Sequence, residues 1–126
     1  MHTTLRNAYA IRVPSPDGVM FVHCIENDNK LEEIQISIGK TGSSVRAWAD
    51  GLARMLTLSL KYNDINNILV ELSSITTDKS VLNSKRMHIK SGPDAIFNAL
   101  MMYRALVLEN DTPIYKPPTM VIPSGW

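Results

Sequence analysis

The chain has 126 residues, the size of one domain that can bury a core without covalent staples. Lys and Arg number 13 and Asp and Glu 12, a formal charge of +1, and 44% of the residues are hydrophobic against 20% charged. This balance excludes a global field that would draw the chain to nucleic acid or to a membrane surface, so a polyanion would have to meet a local basic patch.

Ala8 to Val13 reads as a strand, and the turn formers Pro14-Ser-Pro-Asp-Gly18 predict a reversal behind it. Val19 to Glu26 is rich in β-branched and aromatic residues, and Asn27-Asp-Asn-Lys30 predicts a second turn. From Leu31 to Ile38, Ile34, Ile36 and Ile38 alternate with Glu33, Gln35 and Ser37, the period of a half-buried strand. Three strands joined by tight turns predict an antiparallel meander.

Gly39-Lys-Thr-Gly-Ser-Ser44 then reads as a loop ending in a helix start, with Ser43 or Ser44 as the cap. Val45, Trp48, Ala49, Leu52, Met55, Leu56 and Leu60 recur at helical spacing, which reads Trp48 as a core residue before a base-stacking platform. Arg46, Asp50, Arg54 and Lys61 fall mostly on the other side, with Asp50 and Arg54 as an i,i+4 ion pair. Asn63 and Asp64 end this helix, and a second is expected over Ile65 to Ser73 with Ile68, Leu69 and Leu72 inward.

Ile75 to Lys90 is polar and less regular. Its last part, Lys85-Arg-Met-His-Ile-Lys90, alternates, and as an extended chain it would put Arg86, His88 and Lys90 on one face. Ser91-Gly-Pro-Asp94 opens a last helix: Pro93 fits the first turn, and the Asp94 carboxylate complements the dipole there. The helix is expected to run to about Leu108. One apolar stripe is Ile96, Ala99, Leu100, Tyr103 and Val107, and a second is Phe97, Met101 and Leu108 around Arg104. Either this is the central helix of the fold or its second stripe meets another subunit. The expectation is a homo-oligomer formed through residues 93–108 and the arm behind them.

That arm, Glu109 to Trp126, sets Pro113, Pro117, Pro118 and Pro123 among Ile114, Tyr115, Met120, Val121, Ile122 and Trp126. It reads as an extended segment packed on its own domain or a neighbour. The predicted fold class is α+β, a meander of about three to four strands packed with about two to three helices. One domain is expected over 1–126, with its core at about 8–108 and the arm at 109–126.

Cys24 is the single cysteine, so no internal disulfide and no cysteine-rich zinc site can form. Its apolar surroundings predict a buried, inert thiol. Met1 to Arg6 carries no apolar core of signal-peptide length, and no run approaches the ~20 apolar residues of a membrane span. The expected location is the cytoplasm, a host's cytoplasm if the chain is phage-encoded, with no membrane association.

The isoleucine alternation running into Gly39-Lys40, the Gly-Ser loop and Ala49-Asp-Gly-Leu-Ala-Arg-Met-Leu-Thr-Leu-Ser-Leu60 together resemble the TSCPD domain found with vitamin-B12-dependent ribonucleotide reductases. Arg54 matches the family arginine, and Lys90-Ser-Gly-Pro-Asp94 matches the name-giving Thr-Ser-Cys-Pro-Asp, followed by Ala95-Ile96 and Ala99-Leu100. The resemblance covers roughly residues 18 to 105. It implies the family fold and a nucleotide context. Gly92 stands where the motif has cysteine and no Cys-x-x-Cys follows, so a metal or redox role is not carried over. The reductase's radical machinery lies in a large separate domain that this chain lacks.

Two clusters point to chemistry. Lys40, Thr41, Gly42, Ser43 and Ser44 put backbone N–H groups, hydroxyls and one cation at a helix start, which suits phosphate; the same residues also read as a tight turn with capping serines. The loop is not a Walker A motif, because the first glycine is missing from the strand before it. Arg86, His88 and Lys90, leading into Ser91 and Gly92, read either as a second phosphate site or as the solvated face of an edge strand. Arg104 is either an interface arginine or a phosphate grip. His2, His23 and His88 have no metal-ligand spacing, and no nucleophile–base pair is visible.

These readings predict a non-catalytic module, needing no cofactor, that binds a small nucleotide or another phosphate-bearing ligand as a homo-oligomer. One setting is a detached partner of a ribonucleotide reductase. Another is a phage protein that sequesters a small or cyclic nucleotide signal. A nucleic-acid-binding or protein-interaction role is the rival reading, and the near-neutral charge disfavours nucleic acid.

Overall fold

The computed structural model describes residues 6–39, 42–83 and 85–110, with side chains as far as residue 108. Three strands, β1 (Arg6–Ser15), β2 (Gly18–Asn27) and β3 (Lys30–Ile38), form the expected antiparallel meander in the order β1-β2-β3. The first turn is only Pro16-Asp17, with Ser15 paired to Gly18. β1 therefore continues through Pro14, which an edge strand tolerates because no neighbour needs its missing N–H. The second turn is Asp28-Asn29, both at positive φ (52° and 66°), the primed geometry whose twist matches that of the flanking strands.

One sheet face is the core. Tyr9, Ile11 and Val13 on β1 lie beside Cys24, Val22 and Met20 on β2, and these lie beside Ile34, Ile36 and Ile38 on β3. Alternation with period two made this face readable. The core face also carries a buried carboxylate, Glu26, to which Tyr103 Oη donates a 2.6 Å hydrogen bond. Tyr9 meets the Tyr103 ring edge-on at 5.5 Å. Burial and the Glu26 bond push the Tyr103 phenol above its ordinary range. Burial, then Glu26, does the same to the Cys24 thiol, so this thiol is not a nucleophile.

Helix α1 (Ser44–Ser59) runs back along β3 and closes that strand's free edge. Thr57 Oγ1 accepts from Ile34 N at 3.0 Å, and its proton lies within reach of Ala53 O (2.9 Å) and Ile34 O (3.2 Å). One helical hydroxyl thus serves the strand edge that would otherwise invite another chain. Helix α2 (Ile65–Ser73) is capped by Asp64, which accepts from Asn66 N at 2.8 Å, and turns Ile68, Leu69 and Leu72 inward as expected.

Short strands β4 (Val81–Leu82) and β5 (His88–Ile89) form a separate hairpin, and helix α3 (Gly92–Asn110) follows. Ala95, Ile96, Ala99, Leu100 and Tyr103 of α3 are buried against the sheet and α2. In its second stripe Met101 (43%) and Leu108 (71%) are exposed, while Phe97 is half-buried against the core. The central-helix alternative therefore falls. The fold is α+β, with the helices gathered on one side of the meander. The expected arm over 109–126 lies outside the described residues apart from the last turn of α3. Among the described residues no helix is long and apolar enough to cross a membrane.

Two local expectations are corrected. Asp50 pairs with Arg46, one turn earlier (Nε–Oδ1 3.5 Å), rather than with Arg54. Arg86, His88 and Lys90 do not share a strand face: Arg86 sits in a turn at φ 59°, and only His88 and Ile89 are extended in a ladder. Asn83 forces that turn, since its Oδ1 accepts from both Lys85 N (2.9 Å) and Met87 N (3.1 Å).

Candidate functional site

The loop between β3 and α1 is shaped by two glycines at positive φ, Gly39 (69°) and Gly42 (88°), conformations that L side chains rarely adopt. Ser43 is the cap, its Oγ accepting from Arg46 N at 3.2 Å, and Ser44 is the first helical residue. Lys40 and Thr41 lie outside the described residues. The first turn of α1 contains no acidic residue, so its positive end is not neutralised by the helix itself.

The start of α3 is different. Ser91 is fully buried; its hydroxyl donates to Ile75 O at 2.6 Å and accepts from Asp94 N at 3.0 Å. The buried Asp94 carboxylate accepts from Lys90 N at 2.9 Å. At Gly92 a Cβ would stand 2.7 Å from Cη2 of Trp48 and 3.4 Å from Oδ2 of Asp17. This end already holds two carboxylates and a capping hydroxyl, and both carboxylates repel an incoming phosphate. Trp48, expected in the core, is 36% exposed and lies across Gly92.

The other candidates are spoken for locally. His88 Nδ1 lies 3.1 Å from Ser80 Oγ, Lys90 Nζ donates to Ser73 O at 3.4 Å, and Arg104 Nη1 donates to Asn66 Oδ1 at 2.9 Å. Arg104 is twelve residues beyond Gly92, roughly 18 Å along the helix, so it shares no site with residues 86–92.

The structure brings together one cluster that the sequence did not single out as a site. Between α1 and β3 lies a groove of about 640 Å³, lined by Arg46, Asp50 and Arg54 from α1 and by His23, Gln35 and Ser37 from the outer face of the sheet. Its size falls in the range of small-molecule sites. α1 runs antiparallel to β3, with Thr57 beside Ile34, so the groove follows the helix from Arg46 to Leu58. Arg46 is held by Asp50, and Glu33, also in the wall, is held by Gln35 (2.7 Å) and Arg6 (3.7 Å). Arg54 and His23 have no side-chain hydrogen bond or ion pair among the described residues. Burial holds the His23 imidazole below the usual 6.5, and no carboxylate offsets it. The stripe Arg46-Asp50-Arg54 was visible at i, i+4, i+8. His23 was not, because only the β2–β3 register, His23 opposite Gln35, brings it there.

Among the described residues no group of three His, Cys, Asp or Glu side chains is arranged to hold a metal. The family model described as the TSCPD domain matches residues 3–104. The chain belongs to the TSCPD domain family. Comparison with curated proteins and with solved structures gave no match.

At Gly92 of this TSCPD domain, Trp48 fills the space a side chain would take. Gly92→Cys is expected to displace the Trp48 ring, changing its fluorescence and costing about 1–3 kcal/mol in urea unfolding, the usual cost of overpacking. In the Trp48→Ala background the same change should cost less than half as much. Equal costs in both backgrounds would show that the two positions are not coupled.

Proposed function

We propose that this TSCPD domain is a non-catalytic binding module for a small phosphate-bearing nucleotide, held in the groove between α1 and β3. The observation that carries the reading is the pair Arg54 and His23, both without side-chain partners among the described residues, facing one groove with Arg46 at the uncompensated end of α1. A guanidinium fork suits phosphate oxygens, and Asp50, Gln35 and Ser37 offer acceptors and donors to sugar or base. The family's association with ribonucleotide reductases supports a nucleotide as ligand. Holding a nucleotide intact suits either a reductase partner or a protein that sequesters a nucleotide signal. The outward α3 residues Met101 and Leu108 support a homo-oligomeric contact, which light scattering behind size exclusion reads directly.

The test is thermal unfolding against a panel of mono-, di- and cyclic nucleotides. At saturation above Kd, at least one is expected to raise Tm by several degrees and to be recovered unchanged. No shift across the panel sinks the nucleotide reading and promotes a protein-interaction role.

A further inference from the structure

His23 is the one titratable group of the groove whose charge changes near neutral pH. It sits mid-strand on β2, between Ala10 of β1 and Gln35 of β3, on the sheet face away from the core. The ionisable groups around it are Arg12 on β1, Glu33 on β3, and Arg46, Asp50 and Arg54 on α1. Glu33 is committed to Arg6 and Gln35, and Asp50 to Arg46. In the free protein, partial burial with no carboxylate to offset it lowers the imidazole pKa and keeps the ring neutral to lower pH than an ordinary histidine. An anion brought into the groove by the arginines would supply the missing counter-charge, and the ring has a nitrogen free to donate to it.

We propose that His23 is a ligand contact of this groove and that anion binding draws a proton onto its imidazole, so that the site holds its anion more tightly as pH falls. The inference rests on the proposed groove and adds its proton linkage. The sign follows from the two states: the imidazole pKa is low in the free protein and higher in the complex. Affinity therefore gains between those two values as pH is lowered, by roughly tenfold for each unit that separates them. The proton comes from solvent, and no bond is made or broken in the ligand.

Inorganic sulfate is the probe, because it does not titrate between about pH 5.5 and 7.5, where a phosphate monoester does. NMR of the full chain follows the three histidine Cε1–H signals through this range, in sulfate and in chloride of equal ionic strength. Expected are a His23 pKa below 6.5 in chloride, a rise of about one unit in sulfate, and loss of the pH dependence of sulfate affinity in His23→Gln. Sulfate that perturbs the Arg46 and Arg54 amides without moving the His23 pKa would overturn this inference and leave the groove standing. Sulfate and nucleotides that perturb neither would overturn both.

Discussion

Arg54→Ala is expected to weaken nucleotide binding by about 10- to 100-fold while leaving stability within about 0.5 kcal/mol of the parent. A hydrogen bond to a charged group contributes about 1.5–3 kcal/mol, which is the source of the first number. The second follows because Arg54 lies on the exposed side of α1 and makes no ion pair among the described residues, so its removal breaks nothing in the free protein. Arg54→Lys keeps the charge but not the planar fork, and should recover only part of the affinity. Lys90→Ala is the control, since Lys90 Nζ is engaged by Ser73 O away from the groove. If isothermal titration shows Lys90→Ala abolishing binding and Arg54→Ala sparing it, the ligand belongs at the 86–92 segment instead.

Leu100→Ala is expected to have the largest effect on folding, a loss of about 3 kcal/mol. Leu100 is fully buried where α3 meets the sheet, and large-to-small changes at such sites cost about 2–5 kcal/mol through lost transfer energy and the cavity left behind. At roughly 4 °C per kcal/mol for a domain of this size, Tm should fall by about 12 °C. Its neighbour Met101 points outward, and Met101→Ala should cost less than about 0.5 kcal/mol in the isolated subunit while weakening self-association. Calorimetry of both variants checks the assignment of the two stripes. Similar losses at the two positions would mean that α3 is enclosed on both sides.

The three-stranded sheet was legible, most firmly over residues 31–38, where Ile34, Ile36 and Ile38 alternate with polar residues and one buried face leaves only one register. The helix over 44–59 was legible for the same reason at a different period, and its cap at Ser43 was among the two named. The segment 85–90 misled because alternation of charge and apolar side chains looks extended, while a single Asn83 side chain turns the backbone. No pattern at the surrounding positions announces that. The start of α3 looked like an anion site in sequence for a related reason: Ser91 and Asp94 are the residues that close such a site as well as those that open it. Only the fold shows Asp17 and Trp48 arriving from β-turn and helix to fill the space.

The groove was half legible. Arg46 and Arg54 shared a helix face in the sequence, and Arg54 matched the family pattern, yet a charged stripe with an internal ion pair reads as solvated surface. What converts it into a site is β3 lying alongside and His23 crossing from the next strand, both products of strand pairing over residues 20–38. Pairing across strands is set by the whole sheet, so no local window contains it.

The most direct test of the central claim is a two-dimensional amide NMR titration with the nucleotide giving the greatest thermal shift. The account predicts that the perturbed amides cluster at His23, Gln35, Ser37, Gly42, Arg46, Asp50 and Arg54. Perturbations confined to Arg86 through Asp94, or to α3 around Arg104, would contradict it.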